Sequence, residues 1–207
     1  MRTKPRIIGV DFDNTVIGYD ALMGGIARRE GMIPEQFEGG KNTIRDYLRA
    51  REGGELLWQR LQAACYGIEI DRAQAMPGVL DFFKACRGRR IPAFIVSHKG
   101  EKAAGNPDGP SLRVCALGWL EKNGFLSDDT GLTWEKVMFG STRREKIEHI
   151  TVLGCTHFID DLEETFLESS FPGGVQKILF RQEPPRSVPP DVRLAKSWAE
   201  ITSVVVG

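Results

Sequence analysis

A chain of 207 residues, 41% hydrophobic and 27% charged, is long enough for one folded domain, or one domain carrying a smaller insert, and apolar enough to build a core. Its 28 basic and 28 acidic residues cancel, which removes the electrostatic term on which nucleic-acid binding depends and leaves small molecules as the expected partners. No apolar run approaches the about 18 residues of a membrane span, and Arg2, Lys4 and Arg6 lead straight into a strand-like segment, so a cytoplasmic location without membrane contact is expected.

In chain order, the first element is the short, β-branched run Arg6–Phe12, which breaks into acids as a buried strand does at a polar edge. Strand signals then vanish from Val16 to Met76. Three helix-like stretches take their place: Asp20–Arg29, Thr43–Arg51 and Glu55–Tyr66. Ile44, Tyr47 and Leu48 make one apolar stripe, and Leu57, Leu61 and Cys65 another. A helix is expected after Pro77, with Val79, Phe82, Phe83 and Cys86 on one face, followed by a strand over Ile91–Val96 closing on Ser97. Gly100–Pro110 is too rich in Gly and Pro for regular structure.

A second core helix follows Pro110 and Ser111, carrying Leu112, Cys115, Trp119 and Leu120. Short strands are expected at Val137–Phe139, His157–Ile159 and Lys177–Phe180, and a helix starts at Thr142, whose Glu145 completes a capping-box pattern. The four prolines of Glu183–Pro190 imply a stiff surface connection. Strands alternating with helices predict a doubly wound, Rossmann-like α/β core over residues 1–15 and 77–207, with 16–76 inserted as a helical subdomain. Cys65, Cys86, Cys115 and Cys155 lack CxxC spacing and read as buried free thiols. Trp58, Trp119, Trp134 and Trp198 read as packing residues.

Ligands of a doubly wound sheet gather beyond the carboxyl ends of its strands, so the residues there carry the chemistry. They are Asp11 and Asp13, then Ser97, then Asp160 and Asp161. Carboxylates clustered at two strand ends repel unless a cation offsets them, and Mg²⁺ with its oxygen ligands suits them. An anionic ligand would also need neutral or positive donors. Ser97 supplies a hydroxyl and Lys146 an ammonium near a helix start, with Lys136, Arg143 and Arg144 as alternatives for the basic group. Asn14, His98 and Lys99 are candidate substrate contacts.

The run Val10-Asp11-Phe12-Asp13-Asn14-Thr15, then Ser97, Lys146 and Phe158-Ile159-Asp160-Asp161, resembles the four ordered motifs of the haloacid dehalogenase-like (HAD) hydrolases. Met76-Pro77-Gly78-Val79 resembles the point where that family re-enters its core behind a helical cap. The resemblance implies a Mg²⁺-dependent phosphohydrolase acting on a small phosphate ester; the alternatives are a phosphotransferase or mutase on the same fold, or a binding protein that keeps the fold without turnover. Asp11 would be the nucleophile and Asp13 the acid and base. Ser97 and Lys146 would bind phosphate, and Asp11, Asp13, Asp160 and Asp161 would face the metal. Carbon–halogen-cleaving members lack an acid at the position of Asp13.

Overall fold

The computed structural model describes residues 5–182 and 189–207. Most of the proline-rich connection expected over Glu183–Pro190 lies outside them. The chain divides into two compact units. One combines Met1–Ile17, Ala75–Lys99 and Leu120–Gly207; the other combines Gly18–Gln74 and Gly100–Trp119.

The first unit is built on six parallel strands: β1 (Ile8–Val10), β2 (Ala93–His98), β3 (Val137–Gly140), β4 (His157–Asp160), β5 (Gln176–Phe180) and β6 (Val192–Ala195), in the order β3-β2-β1-β4-β5-β6. This is the doubly wound order, in which β1 is central and the chain turns back at β1 to fill the other half. Residue Ile8 pairs with Ala93 on one side and His157 on the other, which brings the ends of β1, β2 and β4 into one row.

Alternation along the strands sends side chains to two cores. On one face Val96, Phe158 and Leu179 pack with Ile150, Cys155 and Phe166. On the other, Phe180 meets Trp198 at 5.5 Å between ring centroids, and Trp198 meets Phe82 at 4.9 Å. The sequence pattern placed Val79, Phe82, Phe83 and Cys86 on one helical face, and all four are fully buried. Gly9 admits β4 closely, since a Cβ there would stand 2.6 Å from the Phe158 ring. Trp134 departs from its expected role in packing: it lies in a single 3₁₀ turn with 47% of its surface exposed.

The second unit holds the helices α1 (Asp20–Arg29), α2 (Lys41–Arg49) and α3 (Gly54–Ala63), the last running on into a π turn at Ala64–Ile68. Tyr19 and Tyr66 close on each other edge to face at 4.7 Å. This unit also takes in residues beyond the helical insert. Gly105 lies so near α3 that a Cβ would come within 2.5 Å of the Gln59 backbone, and Trp119 Nε1 donates to Ala73 O at 3.0 Å. The loop expected to be irregular is thus fastened to the helices by backbone contact.

Cys65, Cys86 and Cys155 are buried and free, and Cys115 is free and half-buried. Burial pushes the thiols of Cys65 and Cys86 up to about 12 and that of Cys155 to about 11. Among the described residues no helix is long and apolar enough to cross a membrane.

Candidate active site

Asp11 follows β1 directly. Its N–H donates to Ile159 O at 2.8 Å, one more rung of the ladder to β4. The chain then turns sharply, with Val16 N and Ile17 N both donating to Phe12 O and Asn14 in the left-handed region at φ 57°, a conformation Asn tolerates better than most residues. Asp13 sits on this turn, half-buried.

Lys146 reaches the same place from the other side of the sheet order. Thr142 caps α4 (Arg143–Val152) by accepting from Glu145 N at 3.1 Å, and Glu145 accepts in return from Ser141 N at 2.8 Å. The cap fixes the first turn of the helix just past β3, so the side chain of Lys146 projects inward. Its Nζ donates to Asp11 Oδ1 and to Asp160 Oδ2, both at 2.6 Å. The three other candidate cations are engaged elsewhere. Lys136 donates to Gly131 O, Arg143 pairs with Glu168, and Arg144 pairs with Glu148.

Ser97 lies within β2 rather than after it, and its Oγ donates to Asp11 Oδ1 at 2.9 Å. Asp160 is the last residue of β4 and accepts from Leu162 N at 3.0 Å through its other oxygen. Asp11, Ser97, Lys146 and Asp160 are each at most 4% exposed. Burial pushes the carboxyl of Asp11 up to about 6, with Asp160 and Asp13 adding to the rise and Lys146 opposing it. Burial alone would lower Lys146, but Asp11 and Asp160 outweigh it and hold the ammonium above its usual range.

Asp11, Asp160 and the half-buried Asp161 each bring a carboxylate oxygen within 4.8 Å of the others. Three hard oxygen donors from two adjacent strand ends fit Mg²⁺, which takes carboxylates readily and completes its shell with water or phosphate. Asp13, expected to face the metal with them, stands outside this group and turns both carboxylate oxygens to Lys99 Nζ, at 3.0 and 2.9 Å. His98 is exposed and donates from Nε2 to Ser141 O at 3.0 Å. The Lys99–Asp13 pair was not foreseen. No local signal in the sequence marks it, since the two residues lie 86 apart.

No family model matches the chain, and no curated protein matches its sequence. Solved structures do. A haloacid dehalogenase-like hydrolase from Streptococcus pneumoniae superposes with a TM-score of 0.62 at 14% identity, over 97% of this chain and 98% of its own. A HAD-superfamily hydrolase from Geobacter sulfurreducens gives 0.58 at 14% identity, over 98% and 97%. The fold is that of the HAD hydrolases. A HAD hydrolase of Bacillus subtilis bound to magnesium gives 0.57 at 11% identity, over 98% and 99%. Likeness at such identities speaks for the HAD fold; what the chain does must come from its own side chains.

Proposed function

We propose that the chain is a Mg²⁺-dependent phosphohydrolase that acts on a small phosphorylated metabolite through an aspartyl-phosphate on Asp11. The observation that carries this reading is the buried ammonium of Lys146 shared by Asp11 and Asp160, with Ser97 on the same oxygen of Asp11. Such an arrangement holds a carboxylate ionised and oriented where an electrophile can reach it, which is what a nucleophilic Asp needs.

In the first step the Asp11 carboxylate attacks phosphorus, the bond from phosphorus to the ester oxygen breaks, and Asp13 gives its proton to the departing alkoxide. In the second, water attacks the same phosphorus, Asp13 takes a proton from it, and Asp11 leaves with the electron pair of the cleaved bond. Ser97 and Lys146 offer donors to the phosphoryl oxygens as charge builds on them. Asp11, Asp160 and Asp161 would hold Mg²⁺, which when bound supplies positive charge against the phosphoryl group. Asp13 favours phosphate esters over carbon–halogen bonds, because halide leaves without a proton and needs no acid.

A panel of phosphate esters incubated with purified protein tests the reading. Inorganic phosphate should be released with Mg²⁺ present and fall to background with excess EDTA. Transfer of the phosphoryl group to a sugar or nucleoside hydroxyl with little net phosphate would instead mark a phosphotransferase, and no turnover of either kind would sink both.

A further inference from the structure

Two pairs of side chains bridge the ends of β1 and β2, and they keep step. Ser97 binds Asp11 and Lys99 binds Asp13, each across 86 residues of sequence. β1 and β2 are parallel neighbours whose last paired residues are Val10 and Ile95, so the segments that continue past that pair run close together and bring both acids within reach of the two donors. The backbone of Lys99 is itself held, its N–H donating to Gly140 O at 2.8 Å as one more rung between β2 and β3. From that anchored position the side chain crosses to Asp13 with its Nζ 5.4 Å from the centroid of the Phe12 ring.

Lys99 is 3% exposed. An ammonium removed from water is costly unless a carboxylate compensates it, and here both oxygens of Asp13 do. The consequence for Asp13 is geometric. Its residue lies on the turn that follows β1. Gripped through both oxygens by one nitrogen, its plane is set relative to β1 and therefore relative to Asp11.

We propose that Lys99 is a positioning residue for Asp13, setting the carboxylate that gives up and takes back the proton of the ester oxygen and of water. This rests on the phosphohydrolase reading above. Lys99 acts through Asp13, whereas Lys146 acts on Asp11, so the two lysines serve different halves of the chemistry. Proton transfer is sensitive to the placement of the acid, and its loss is felt most where the leaving oxygen is basic.

The test compares p-nitrophenyl phosphate, whose leaving group needs little protonation, with alkyl phosphates, whose leaving groups need it. Lys99→Met should lower kcat on the alkyl esters about 100-fold and on p-nitrophenyl phosphate less than about tenfold. Lys99→Arg, which keeps the charge and two donors, should recover part of the alkyl rate. The double variant Lys99→Met/Asp13→Asn should be no slower than Asp13→Asn, since residues acting as one unit do not add. Urea midpoints of the same set should show coupling between the two positions, a readout that needs no turnover. Equal losses on both ester classes, fully additive losses, or absent coupling would overturn the proposal. A wild type that releases phosphate from no ester overturns the phosphohydrolase reading and this proposal with it, whereas an active wild type with a flat leaving-group response overturns the proposal alone.

Discussion

Asp11→Asn should abolish phosphate release from every ester, a loss on the order of 10⁴-fold or more, because no covalent intermediate can form on an amide. The substitution is nearly isosteric, and Asn retains an oxygen that can accept from Ser97 and Lys146, so the fold should survive. The decisive measurement is the intermediate itself. Wild-type protein quenched in acid during turnover of a phosphorus-labelled ester should carry label that hydroxylamine removes, as it does from acyl phosphates, and the variant should carry none. Label on the Asn variant, or undiminished turnover by it, would show that Asp11 is not the nucleophile.

Lys146→Met should lower kcat by about 10²–10³-fold, the usual cost of removing one fixed charge from a transition-state site. It should also destabilise the metal-free protein by about 3–5 kcal/mol, since two buried carboxylates lose the cation between them. The sign of the pH effect follows from the direction of the shifts. Asp11 already binds its proton more tightly folded than unfolded, so its contribution is fully present below the unfolded value of 3.8 and is lost as pH rises through about 6. The raised Lys146 makes its own contribution throughout the neutral range, where its proton is retained. Without Lys146 the Asp11 value should climb further, so the thermal midpoint of the variant should fall more steeply than that of the wild type between pH 5 and pH 8. A variant whose midpoint matches the wild type at every pH would show that the ion pair adds nothing to the fold.

The five strands legible in the sequence are those whose apolar runs end in a change of polarity, as Arg6–Phe12 does at Asp11 and His157–Ile159 does at Asp160. The sixth, Val192–Ala195, has one β-branched residue, follows the proline-rich connection and lies at the edge of the sheet, where pairing with β5 alone supports it. The last helix, α5 (Trp198–Val205), had no expectation in the sequence because it is only eight residues long, although Ser197 caps it by accepting from Glu200 N. The positions of Asp11, Ser97, Asp160 and Lys146 were readable because strand ends and a capping box are local signals. The Lys99–Asp13 pair was not, because it forms only where segments beyond two strands far apart in sequence come together. For the same reason the fastening of Gly100–Trp119 to the helical unit escaped notice: a backbone-to-backbone approach such as that of Gly105 to Gln59 leaves only a glycine in the sequence, and a loop has many of those.

The buried thiols give the two units separate clocks. Cys65 belongs to the helical unit, while Cys86 and Cys155 belong to the unit built on the sheet. With their thiols raised to about 11–12 and shut away from solvent, all three react with an alkylating reagent only when the surrounding structure opens. In a protein whose half-buried Cys115 has been replaced by Ser, the order in which the remaining cysteines are alkylated reads out which unit opens first. If the helical unit opens locally, Cys65 is modified while Cys86 and Cys155 stay protected; if the chain opens as a whole, the three fall together.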